Sequence, residues 1–138
     1  MLGMVQIVVL NYYGSGGNNE HVYVSNISSL PNNYFSNTKF IALYACCSGK
    51  DNSLGENLVE KMNSKGAQCV VGWYVPINNW EMQVWNKLMF EKIRDENQSI
   101  VEGYRHADYW INSETNNDAI TRMAARKECG NNELHLYK

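Results

Sequence analysis

The sequence predicts an α/β domain with a largely parallel sheet. Three observations carry that expectation. Short apolar runs rich in β-branched residues recur along the chain, as in VQIVVL, KFIALYA and QCVVGWYV. The later runs are separated by amphipathic stretches long enough for helices. Capping residues and glycines punctuate those stretches.

The elements follow in order. MVQIVVLNYY reads as a buried strand near 5–12, ended by the loop GSGGNNE. HVYVS alternates weakly and suits a short strand; SNISSLPNNYFSNT is a connector. KFIALYAC gives a second buried strand near 39–46, expected to be central. A helix near 54–65 follows, with Ser53 and Glu56 as a capping box and Gly66 at its end. Leu54, Leu58 and Met62 would share its inner face. AQCVVGWYV is a third strand near 68–75, stopped by Pro76. Asn79 is placed to cap a helix over 79–95, with Val84, Leu88, Trp85, Met89 and Ile93 toward the core. Ser99 and Glu102 form a second capping box for a helix over 100–112. DAITRMAARKE reads as a helix near 117–128 stopped by Gly130, and ELHLYK as a parallel strand near 133–137. No internal repeat or linker divides residues 1–138, so one domain is expected.

Composition narrows the function classes. The chain has 138 residues, 44% of them apolar and 12% aromatic, which suits a packed core rather than a disordered segment. A net charge of -2 gives no electrostatic reason to expect nucleic acid. Arg122, Arg126 and Lys127 form the densest basic cluster and read as a solvated helix face. The apolar runs are too short to span a bilayer, so no membrane role is expected. MLGMVQIVVL lacks the basic start and cleavage site of a signal peptide. That points to a cytoplasmic chain with free thiols. Paired asparagines, such as Asn32-Asn33 and Asn131-Asn132, are a compositional bias with no function attached.

The stretch LYACCSGK, residues 43–50, is where chemistry is most concentrated. A phosphate-binding loop would need Gly at Tyr44 and Ser or Thr at Asp51. A dinucleotide loop at GSGG would need Gly at Asn19. Zinc would need convergent ligands, yet Cys46 and Cys47 are adjacent and Cys69 and Cys129 are isolated in sequence. No metal or cofactor is therefore expected. Two readings stay open. A thiol at the carboxyl end of a parallel strand lies where α/β folds bind ligands, and it suits a nucleophile. The other reading, which composition alone favours, is that both cysteines are small core hydrophobes.

Four segments, in order, resemble the caspase-like cysteine peptidases, the group of caspases, gingipains, clostripain-like enzymes and bacterial CHAT domains. FIALYACCSG resembles their nucleophile strand, with Ala45-Cys46 at the Ala-Cys pair and Ser48-Gly49 closing the turn. SLGENLVEKMNSKGAQCVVGWYVPINN resembles the next helix and strand, NQSIVEGYRHADYW a later helix, and GNNELHLYK a closing strand. The resemblance covers roughly three quarters of the chain. It implies a three-layer caspase-like fold, here lacking the N-terminal strands. It places Cys46 as nucleophile and the N–H groups of Gly14 and Cys46 as an oxyanion hole. Trp73, Tyr74, Asn78 and Asn79 would border the substrate cleft. The family's His-Gly pair becomes Tyr13-Gly14 in this sequence, so His21 is the remaining candidate base. His106 and His135 are expected to be surface or packing residues. The implied function is a degenerate or partial cysteine peptidase, inactive alone; the alternative is a pseudopeptidase module that binds a peptide or protein partner. An open sheet edge would favour a homodimer or association with another chain.

Overall fold

The computed structural model describes residues 22–114 and 119–137. The elements run α1 (Val24–Ser28), β1 (Phe40–Ala42), α2 (Leu58–Ser64), β2 (Cys69–Trp73), α3 (Asn79–Phe90), a π-helical turn (Glu91–Asp95), α4 (Ile100–Glu114), α5 (Ala119–Ala124) and β3 (Arg126–Gly130). Strand alternation divides the core in two. Phe40, Ala42, Cys69, Val71 and Trp73 face the layer of α3, α4 and α5. Ile41, Leu43 and Val70 face the opposite layer, with Ile27 of α1 and Val59 and Met62 of α2. Helices thus cover both faces of a small mixed sheet.

β1 and β2 pair in parallel, Phe40 opposite Cys69 and Ala42 opposite Val71. β3 is antiparallel to β2, with Trp73 opposite Arg126 and Cys69 opposite Gly130. The sheet order β1-β2-β3 puts β2, not β1, in the middle of the described strands. The expected strand near 5–12 lies outside the described residues.

The last third of the chain corrects the sequence expectation. Residues 126–130 are a strand where a helix tail was expected. Their charges, which suggested a solvated helix face, each find a partner. Arg126 binds Asp108 at 2.9 Å, Lys127 binds Glu60 at 2.7 Å, and Arg122 of α5 pairs with Glu81. Arg126 also lies over the rings of Trp85 and Tyr104, 5.5 and 5.0 Å from their centroids. Residues 133–137 form no strand. Instead, the carbonyls of Asn132 and Leu134 accept the N–H groups of Val101 and Ile100 at 2.7 and 2.9 Å. They satisfy donors that a helix start leaves unpaired. Leu136 packs into the core beside them, so its alternation with Leu134 reflects burial, not a ladder.

Helix starts also shift. Of HVYVS, the described residues 22–25 form no strand; Val24–Ser28 is a short helix burying Ile27. α2 begins at Leu58, capped by Asn57, whose Oδ1 accepts the Glu60 N–H at 2.8 Å. Ser53 therefore does not cap, and Leu54 is 79% exposed. The segment before α2 is an Asn52 turn, whose Oδ1 accepts the N–H groups of Leu54 and Glu56. Asn78, not Asn79, caps α3. Ser99 Oγ accepts the Glu102 N–H at 3.4 Å at the start of α4, one half of the expected capping box. Trp85, Leu88, Met89 and Ile93 are buried as anticipated, and Val84 partly so. Gly130 closes β3 rather than a helix, with φ +91°.

Candidate functional site around Cys46

The chain leaves β1 through a series of tight turns. Leu43 still donates to Val71 O at 2.8 Å, then Ala45 N–H turns back to Leu43 O, also at 2.8 Å. Ser48 N–H bonds Ala45 O, and Lys50 N–H bonds Cys47 O. Cys47 sits in the left-handed region at φ 59°, uncommon for a residue with a Cβ. This bend turns the two adjacent cysteines in different directions.

Cys46 is exposed. Its sulfur accepts the Ile77 N–H at 3.3 Å and its thiol faces Ile77 O at 3.6 Å. Ile77 lies on the β2–α3 loop, so the end of β1 and that loop meet at Cys46. Cys47 instead lines an open groove of about 700 Å³ with Tyr23, Ser28, Lys50, Leu54 and Leu58.

Ser48 is buried, and its hydroxyl both donates and accepts. It donates to Leu43 O at 2.9 Å and accepts the Trp73 N–H at 3.1 Å. Gly49 N–H adds a bond to Trp73 O at 2.8 Å, and Cys47 N–H one to Val75 O at 3.2 Å. Gly72 makes room for this, since a Cβ there would fall 2.7 Å from Ser48 Oγ. The Ser-Gly after the cysteines is thus a clasp between the ends of β1 and β2. The sequence suggested only that Ser48-Gly49 closes the turn; the burial of Ser48 against Gly72 is a tertiary fact. Ile77 carried no trace in the sequence, because only its main chain is used.

The remaining expected site residues divide. Trp73 is fully buried, and its indole N–H donates to Met123 O at 3.1 Å. It is a core residue and does not line a cleft, because β2 is covered on both faces. It lies in a chain of rings: Tyr44 at 5.5 Å, Trp85 edge-on at 5.5 Å, then Tyr104 stacked on Trp85 at 5.6 Å. Tyr44 also bonds Asn86, and burial pushes its hydroxyl pKa up. Tyr74 is exposed, and its N–H is bound to Ala125 O. The Asn78 side chain is engaged as a helix cap, accepting Trp80 N–H at 2.9 Å. Asn79 is exposed in the first turn of α3.

Neither described histidine reaches Cys46. His106 Nε2 lies 3.8 Å from Glu91. His135 Nδ1 lies 2.8 Å from Asn97 O. His21, Tyr13 and Gly14 lie outside the described residues. All four cysteines are free. Among the described residues, no group of three or more His, Cys, Asp or Glu converges to hold a metal ion, and no helix is long and apolar enough to cross a membrane.

Comparison with protein-family models and with curated proteins finds no match.

Proposed function

We propose that the chain is a degenerate or partial caspase-like cysteine peptidase domain, with Cys46 at the nucleophile position, that does not cleave peptides on its own. One observation carries this reading. An exposed thiol stands at the carboxyl end of a parallel strand, held against the next strand's loop, with no described histidine in reach. Thiol attack on an amide needs a thiolate and then an acid for the departing nitrogen. The position of the nucleophile is kept, and the proton chemistry is not supplied by His106 or His135.

The test is an assay of the purified chain on a mixed peptide library, beside Cys46→Ala and His21→Ala. No turnover is expected from any of the three. Turnover that disappears in Cys46→Ala would replace this reading with that of a working peptidase, and parallel loss in His21→Ala would name its base. Turnover that survives Cys46→Ala would remove Cys46 from the site.

A second reading, a non-catalytic module that binds a peptide or protein partner, is favoured by the local engagement of the sulfur. Ile77 takes both hydrogen-bonding roles of the Cys46 thiol. Peptide binding unchanged by Cys46→Ala, without turnover, separates it from the first.

A further inference from the structure

We infer that Ser48 is a positioning residue, and that its hydroxyl decides which of the two adjacent thiols is presented at the Ile77 loop. The inference deepens the reading proposed above, on which its functional meaning rests. The turn between Ala45 and Lys50 has two anchors of different kinds. The main-chain bonds Gly49 N–H to Trp73 O and Cys47 N–H to Val75 O tie the turn to the following strand. They place the backbone but act downstream of Cys46. Among the described residues, Ser48 alone ties the turn to both strand ends at once, through Leu43 O behind it and Trp73 N–H in front.

The alternative to this clasp is costly for the chain. Ser48 is buried at 6% exposure. Without its oxygen, the Trp73 N–H loses its acceptor at a site walled by Gly72, Val59 and Gly49. A buried donor left without a partner forces a local rearrangement. The nearest freedom is the Cys46–Cys47 bend, which is already held in the left-handed region at Cys47. Relaxation of that bend would rotate Cys46 away from Ile77 and bring Cys47 out of the groove it lines.

The experiment follows maleimide labelling of each cysteine by peptide mapping, in the full chain, with Cys69 as the reporter of unfolding because it is fully buried. In the wild type, exposed Cys46 should label faster than half-buried Cys47, by about fivefold or more, since access sets the rate between them. Ser48→Ala should bring the two rates to within about twofold while Cys69 stays protected. Ser48→Thr, which keeps the hydroxyl, should keep the wild-type ratio. An unchanged ratio in Ser48→Ala with Cys69 protected overturns the inference. If Ser48→Ala exposes Cys69 and so does not fold, Ser48→Thr decides: a kept ratio supports the clasp, a collapsed ratio with Cys69 protected overturns it. The labelling ratio is independent of peptide turnover. A failed clasp therefore leaves the peptidase-like reading standing, and a failed peptidase-like reading leaves the clasp.

Discussion

The main-chain N–H of Ile77 meets the Cys46 sulfur at 3.3 Å, across 31 residues of sequence. This contact fixes the strand end against the β2–α3 loop. In Cys46→Ala the amide of Ile77 loses its acceptor. Its hydrogen exchange should then accelerate several-fold, while the amide of Val70 in the middle of the sheet keeps its rate. Equal acceleration at both would mean general destabilisation, and no change at Ile77 would mean that the sulfur contact does not persist in solution.

Glu81 is buried at 1% exposure, and the Arg122 guanidinium meets it through both carboxylate oxygens. The pair joins α3 to α5. Removing one partner leaves a buried charge poorly compensated, which ordinarily costs about 3–5 kcal/mol. The Arg122 side chain is one-third exposed, at 33%, so solvent screens part of that cost. Arg122→Ala should lower unfolding stability by about 2–3 kcal/mol. The double variant Glu81→Leu with Arg122→Leu should recover most of it. Urea titrations of the three chains measure both numbers.

Alkaline pH should destabilise the protein before acid chemistry does anything comparable at these sites. Burial, opposed by a hydrogen bond to Tyr104, pushes the Cys69 thiol from 9.0 up to about 12. Burial likewise raises the hydroxyls of Tyr44 and Tyr104. Between pH 9 and 12 the unfolded chain has released the Cys69 proton and the folded chain has not. The unfolded state then binds fewer protons, so stability falls as pH rises, by up to about 1.4 kcal/mol per unit for one such group. Below pH 9 the full stability is present. Urea midpoints should be level from pH 7 to 8.5 and decline above 9. Cys69→Val should delay the decline until the tyrosines of the unfolded chain ionise.

The start of α2 separates two capping residues only four positions apart. Asn57→Ala removes the acceptor of the Glu60 N–H and should cost about 1 kcal/mol. Ser53→Ala should change stability by no more than a few tenths of a kcal/mol, since Ser53 lies on an exposed turn. Thermal unfolding of the two variants reports the difference directly. The reverse ranking would place the helix start where the sequence pattern suggested.

What was legible in the sequence follows from what each element buries. β1 and β2 are apolar on both faces because helices cover both, and an uninterrupted apolar run announces that. α3 and α4 were readable because their core residues recur at helical spacing, as with Trp85, Leu88 and Met89. β3 was not, because it buries no side chain fully: Arg126 and Lys127 are half-buried and Glu128 is exposed, so its pattern resembles that of a solvated segment. Its partners, Asp108 and Trp85, belong to distant segments. The candidate site was half legible. A cysteine at a strand end was visible, but the burial of Trp73 and the clasp at Ser48 depend on how two strand ends meet. That meeting is a tertiary fact with no local period.

The carbonyls that close the start of α4 come from Asn132 and Leu134, which has a consequence for synthesis. During translation the sheet's parallel pair, α2 and α3 are all made well before those carbonyls exist. Domains generally fold as units, and here the first turn of α4 lacks two of its main-chain acceptors until Asn132 and Leu134 have been made. Docking of residues 132–136 should therefore follow formation of the earlier elements. A pause in translation before it would leave an unfinished intermediate, with the α4 side of the core open to water and to other chains.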